Sequence, residues 1–237
     1  MRIAALYDVH GNLPALEAVL PETDDVDLVV VGGDVASGPF PRESLERLLA
    51  LGDRARFVRG NADRVLDFVG NDGGDLETWQ RARLWVAERL GPEHLRFLAA
   101  LPLDVVVDGI RFCHGSPGSD EETITRVTPD ARLARLLAGV EEDVVVCGHT
   151  HVQFDRRLGN TRVLNAGSVG MPYEAEPGAY WLLLDGEPSF RRTPYDLDDA
   201  ARRIAATGYP KLDEYLGYLL GSEPDRPERM SRLIEGV

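Results

Sequence analysis

Lysine is almost missing: Lys211 is the one lysine among 26 basic residues, a bias that reads as composition of the source genome, with heat adaptation as the second explanation. Cysteine is scarce too. Cys113 and Cys147 are too few for a disulfide scaffold, and without a CxxC pair they exclude a zinc ribbon or a thioredoxin-like redox site. Each ends an apolar run and reads as a buried thiol in a reducing compartment. No stretch approaches the roughly 18 uncharged apolar residues of a membrane span. The apolar run after Arg2 stops at Tyr7-Asp8, too early for a signal peptide, so a cytoplasmic location is expected. Positive charge is also in deficit: the formal net charge of -14 argues against general nucleic-acid or anionic-membrane binding. A small phosphorylated substrate stays open, because bound cations reverse the sign of a site locally. Neither a Walker GK[ST] nor a GxGxxG is found, and no repeat or low-complexity segment occurs.

What is present is a core of ordinary size. With 237 residues and 43% hydrophobic content, one sizeable α/β domain over residues 1–237 is the economical reading. Short β-branched runs recur, "RIAAL", "DLVVVG", "ARFVRG", "DVVVDG", "IRFCHG", "DVVVCGH", "RVLNAG" and "AYWLLLDG", most ending in glycine. The first three alternate with helical stretches at 13–20, 42–51 and 62–69, the rhythm of βαβ crossovers. Later runs are joined by Asp108-Gly109 and Gly159-Asn160, which are hairpin signals, so a mixed sheet or two packed sheets should form. Residues 70–102 read as a helical insertion on the rim, opened by the loop "GNDGGD" and carrying Trp79, Ala82, Val86 and Leu90 on one stripe. The segment 196–237 reads as an amphipathic helical tail.

Chemistry gathers where the strands end. The first run delivers Asp8 and His10, the second Asp34, the third Asn61, then "FCHG" gives His114 and "VVVCGHTHVQF" gives His149 and His151. Four of the five histidines stand at such ends, and ligands of open α/β sheets bind outside the carboxyl ends of strands. Four imidazoles, two aspartates and an amide oxygen are too many donors for one tetrahedral ion and suit two. Asp34 is the natural bridge between a pair of borderline divalent ions, manganese first, with iron, zinc, nickel or cobalt also fitting mixed N/O ligation. Asn12 should cap the helix behind the first ligand pair, with Pro14 in its first turn. A lone histidine or aspartate at a strand end is more often a structural hydrogen-bonding group, and His94 is read that way. Seven such residues together are not explained by turn chemistry.

In "DVHGN", "GGD", "GNAD", "CHG" and "GHTH", taken in that order, the sequence resembles the calcineurin-like metallophosphoesterases, and "NAGSVGMP" resembles the loop that follows in their small bacterial phosphodiesterase branch. The resemblance covers residues 1 to about 185. It implies a four-layer α/β fold, a β-sandwich flanked by helices. It also implies that Asp8, His10, Asp34 and His151 hold one metal, and Asp34, Asn61, His114 and His149 the other. Many members carry a histidine after the GN asparagine as general acid; here Ala62 stands there, followed by Asp63, which becomes a candidate proton donor beside water. Activated esters, phosphodiesters or phosphoanhydrides are thereby favoured as substrates over protein phosphoserine.

Arg59 is a candidate phosphate clamp because its planar fork can pair two phosphoryl oxygens. Asn165 is a candidate for ordering the rim or contacting substrate. The expected activity is metal-dependent hydrolysis of small phosphodiesters or nucleotides, with a phosphomonoesterase or dinucleoside polyphosphate hydrolase as alternatives. A reading from another class is a metal-binding scaffold with little turnover that presents the Trp79 and Trp85 helices to a partner. An amidohydrolase would show HxH after its first strand, and Ser116 and Ser168 lack the strand-to-helix elbow of a nucleophile.

Overall fold

The computed structural model describes residues 1–65 and 78–237. Most of the helix expected at 62–69, the loop "GNDGGD" and the Trp79 side chain lie outside the described residues; of that helix only a 3-10 turn, Asn61–Asp63, is seen.

Two five-stranded mixed sheets are stacked face to face. The first has the order β10-β9-β1-β2-β3, with β1 at Ile3–Leu6, β2 at Leu28–Val31, β3 at Ala55–Phe57, β9 at Ala179–Asp185 and β10 at Glu187–Thr193. The second runs β4-β5-β6-β8-β7, with β4 at Asp104–Val107, β5 at Ile110–Cys113, β6 at Val144–Cys147, β7 at Phe154–Leu158 and β8 at Thr161–Asn165. β1, β2 and β3 are parallel to one another, as are β5, β6 and β8, so six strands end at one rim. The expected turns fall at the tips of hairpins: Val107 pairs Ile110 across Asp108-Gly109, and Leu158 pairs Thr161 across Gly159-Asn160.

Alternation along β1 explains its uninterrupted apolar run. Ile3, Ala5 and Tyr7 face the second sheet and meet Phe112, Val146 and Leu164, while Ala4 and Leu6 face the helices. Period-two side-chain direction makes a doubly covered strand hydrophobic on both faces. Tyr7 also donates its hydroxyl proton to the Val146 carbonyl at 3.1 Å, tying the sheets together.

Helices α1 (Leu13–Val19), α2 (Pro41–Leu49), α3 (Thr78–Ala99), α5 (Leu197–Ala205) and α6 (Leu212–Leu220) cover the first sheet; α4 (Asp130–Leu136) covers the second. The four-layer arrangement follows. α3 breaks at Gly91, whose φ of 75 and ψ of 168 are non-helical, just before Pro92. Its Ala82, Val86, Leu90, Leu95 and Leu98 are buried in the main helical core, so the described part of the expected insertion is built into that layer. The tail is docked. α7 (Arg226–Glu235) ends with the Glu235 carboxylate accepting hydrogen bonds from Thr128 and Arg132, both at 2.6 Å.

Candidate metal centre

The loops leaving β1, β2, β3, β5 and β6 converge at the common rim. Asn12 accepts from the Ala15 amide at 3.1 Å as the expected helix cap, and donates to the Gly170 carbonyl at 2.9 Å, which fixes the β1 loop against the loop after β8. Gly60 is required by close approach: a Cβ there would lie 2.1 Å from Asp34 Oδ1. Gly148 is equally confined, with Asp8 Oδ2 2.6 Å from the place a Cβ would take.

Asp8, His10, Asp34, His149 and His151 all adopt left-handed backbone, with φ between 46 and 64. Such conformations cost a non-glycine residue on the order of 1–3 kcal/mol and persist where surrounding structure over-determines them. Their concentration here points to function.

Two triads result. Asp8, His10 and His151 form one; Asp34, His114 and His149 form the other; within each, candidate ligand atoms all lie within 4.8 Å of one another. Asp34 Oδ2 stands between them, 3.6 Å from His10 Nε2 and 3.5 Å from His114 Nε2. Asn61 Oδ1 is 3.1 Å from His114 Nε2. Carbonyl acceptors orient the imidazoles: His114 Nδ1 donates to Gly32 at 2.8 Å, His151 Nδ1 to Met171 at 2.6 Å and His149 Nε2 to Glu121 at 3.2 Å. In each neutral ring the other nitrogen then carries a lone pair.

The donor set fits divalent ions. Asp8 Oδ1 is fully buried and has no hydrogen-bond partner, yet it faces the Nε2 atoms of His151, His10 and His114 at 3.2, 3.7 and 3.9 Å. An unpartnered carboxylate oxygen facing three imidazole nitrogens is the donor arrangement a divalent ion would use, with the imidazoles giving up their protons as it binds. Charge agrees. Burial opposes ionisation of Asp34, but His114 and His10 outweigh it and hold its pKa at about 2. Burial likewise opposes charge on His114, and the Asp34 and Asp8 carboxylates overcome it, pushing His114 up to about 10. His149 is lowered by its burial and by His114.

Residues 1–187 match the family model of the calcineurin-like phosphoesterase superfamily domain. The chain belongs to that superfamily. Members of this family generally use divalent metals, for which the two triads are the candidate ligands. The chain is 28% identical over 248 residues to the protein MJ0912 of Methanocaldococcus jannaschii, covering 91% of this chain and 95% of that one. It is 27% identical over 194 residues to the phosphodiesterase YfcE of Escherichia coli, covering 77% and 87%. The crystal structure of a metallophosphoesterase from Sphaerobacter thermophilus superposes with a TM-score of 0.78 at 27% identity, over 93% of this chain and all of that one (100%).

Two residue roles expected from sequence change within this phosphoesterase fold, and a third narrows. Asp63, the candidate proton donor, is 1% exposed and turned away from the rim cleft. Its carboxylate accepts the amides of Asp34 at 2.8 Å, Val35 at 3.0 Å and Gly60 at 2.9 Å. Burial and the charge of Asp34 push its pKa up to about 6, whereas the three N–H donors require acceptor oxygens. Asp63 holds the Asp34 loop and meets no leaving group. Arg59, the candidate clamp, directs Nε to the buried Asp120 carboxylate at 3.0 Å and does not line the cleft. Asn165 is fully buried and cannot touch substrate; it donates to the Gly148 carbonyl at 2.7 Å and Thr150 Oγ1 at 3.0 Å and accepts the Gly167 amide at 2.9 Å. Its rim-ordering role is the one the contacts support.

Other groups keep structural contacts. His94 Nδ1 lies 2.8 Å from the Leu90 carbonyl. Ser168 donates to the Asp8 carbonyl at 2.8 Å, and Trp85 packs on Tyr209 and beneath Arg89. Sequence reasoning missed the tail. Tyr215, on α6, donates its hydroxyl to the His10 carbonyl at 3.0 Å, and Tyr173 stacks on His151 with ring centroids 4.8 Å apart. An amphipathic helix carrying "YLGY" gives no sign of which distant loop it will cover.

Proposed function

We propose that the chain is a dinuclear metal-dependent phosphodiesterase of the cytoplasm that acts on a small phosphorylated substrate, with manganese as the preferred metal. One observation carries the dinuclear reading: Asp34 Oδ2 is almost equidistant from the His10 and His114 nitrogens, the place of a carboxylate shared by two ions. Mixed imidazole and carboxylate ligation admits manganese, as it does iron, zinc, nickel and cobalt. The relation to the phosphodiesterase YfcE supports a diester substrate, and two free buried cysteines suit a reducing compartment.

A bound pair of divalent cations would supply Lewis acidity toward a phosphoryl group and lower the pKa of water toward about 7. The protein's part is preorganisation. Asp8, His10 and His151 would hold one cation; Asp34, His114, His149 and Asn61 would hold the other, with Asp34 shared. The Ala62 amide donates to Asp34 Oδ1 at 2.7 Å and the His149 amide to Asp8 Oδ2 at 2.9 Å, so each carboxylate keeps one oxygen fixed and one facing the site. Groups aimed in advance at the place where charge develops need no reorganisation during reaction. Ala62 offers no proton where the cleft begins, so the leaving group departs without a donor from that position, which favours activated esters, diesters and anhydrides.

Turnover of bis(4-nitrophenyl) phosphate with manganese, abolished by a chelator and faster than turnover of 4-nitrophenyl phosphate, is the expected result. A folded chain that binds divalent metal yet hydrolyses neither probe contradicts the proposal.

A further inference from the structure

A cleft of about 510 Å³ opens from the triads, floored by His10, Asp34 and Asn61. That volume exceeds the need of a phosphoryl group and suits a ligand of nucleotide size. Its outer wall comes from the tail. Lys211, immediately before α6, is 7% exposed, pairs with Glu214 at 2.5 Å and lines the cleft together with Arg83 of α3. Buried lysines are almost always paired, as Lys211 is with Glu214, and this chain of net charge -14 places its single lysine in the same cleft as a cation from another element. Glu214 and Asp34 are the acidic residues of the same lining. Tyr218 and Met171 add a flat ring and a polarizable thioether. Tyr218 is half-exposed and braced from behind by Tyr173, with centroids 5.5 Å apart. Next to Asp34 the wall is the methyl group of Ala62.

We infer that the cleft takes a nucleoside phosphoanhydride, with the phosphoryl group next to the reacting one held by Lys211 and Arg83 and the base lying against Tyr218 and Met171. The inference rests on the phosphohydrolase reading above and narrows its substrate class. Three features converge on it. Two cations lining one cleft can recognise a second anionic group through charge-assisted hydrogen bonds. Aromatic and thioether walls suit a heterocyclic base. A departing phosphate, whose second pKa is about 6, leaves without the proton that Ala62 cannot give. In the step, a water oxygen bonds to phosphorus and the bridging P–O bond breaks. The electron pair stays on the departing phosphate, and the proton lost from water passes to solvent. The products are two phosphate compounds.

The test compares kcat/KM of the manganese-loaded full chain on diadenosine diphosphate and on bis(4-nitrophenyl) phosphate, with calorimetric titration of α,β-methylene-ADP and AMP into the same protein. The expected result is preference for the anhydride and at least about tenfold tighter binding of the methylene analogue than of AMP. Lys211→Met should lower the anhydride-to-diester ratio of kcat/KM about tenfold and weaken the analogue by a similar factor, with Lys211→Arg restoring part of both. Arg83→Gln gives a second reading of the same ratio should Lys211→Met fail to fold. Turnover of the nitrophenyl diester with no anhydride preference and equal binding of the two nucleotides overturns the inference and leaves the phosphodiesterase reading intact. Turnover of neither substrate sinks the phosphohydrolase reading, and the calorimetry still decides whether the cleft recognises a nucleotide with two phosphates.

Discussion

Replacing Asp63 with asparagine separates a scaffold role from a chemical one. The carboxylate accepts three buried amides, two through Oδ2, from Asp34 and Gly60, and one through Oδ1, from Val35. Asparagine keeps one acceptor oxygen. With that oxygen toward Asp34 and Gly60, the amide nitrogen faces the Val35 N–H, donor against donor; the opposite orientation abandons two bonds. One buried donor left unsatisfied costs about 1–3 kcal/mol, so Asp63→Asn should lose about that much stability, and Asp63→Ala, which orphans all three, should lose more. The damage reaches the metal site because the freed amides belong to the loop that aims Asp34. Disturbing groups that orient a ligand typically weakens metal affinity about 10- to 100-fold. Urea unfolding gives the first number and calorimetric manganese titration the second. A proton donor would behave differently. An Asp63→Asn protein with unchanged stability and manganese affinity, slowed only on substrates with poor leaving groups, would refute this reasoning.

Other perturbations give distinct signatures. Tyr215→Phe removes the hydroxyl bonded to the His10 carbonyl, so it should cost about 1 kcal/mol in thermal unfolding and weaken manganese binding several-fold, by roughly that energy, in the same titration. Glu235→Ala breaks the clamp on Thr128 and Arg132, none of which lines the cleft. It should destabilise by about 1–3 kcal/mol in urea and leave kcat on bis(4-nitrophenyl) phosphate unchanged. In chelator-stripped protein, His114 is raised from 6.5 to about 10, so its stabilising charge is fully present below pH 6.5 and lost as pH rises through 10. Urea midpoints should fall across that window. Manganese loading should remove the slope and release protons, measurable by titrating in buffers of different ionisation enthalpy.

Much of the rim was legible because its residues follow a strand-end rule. A doubly buried strand writes itself as an unbroken apolar run, as in "LVVV", and the first polar residues after it must stand at the sheet's edge, as Asp34 does. Asp108-Gly109 and Gly159-Asn160 were equally plain, since the turn chemistry is local. Residues whose role depends on a distant partner were not. Asp63 follows Asn61 by two positions, yet what decides its function is the set of amides 28 and 29 residues earlier that its carboxylate accepts. Arg59 read as an open cation because Asp120 is 61 positions away. Lys211 read as compositional noise, and only the docking of α6 brings it into the cleft. The carbonyls of Gly32, Met171 and Glu121 that orient three imidazoles leave no mark in sequence, because every residue carries one.

Anomalous diffraction at the manganese edge, from crystals grown with manganese, tests the shared-carboxylate centre most directly. The expected map has two peaks roughly 3.5–4 Å apart, one within bonding distance of Asp8, His10 and His151, the other of His114, His149 and Asn61, both touching Asp34. A single peak, or a pair that leaves Asp34 outside both coordination shells, would contradict it.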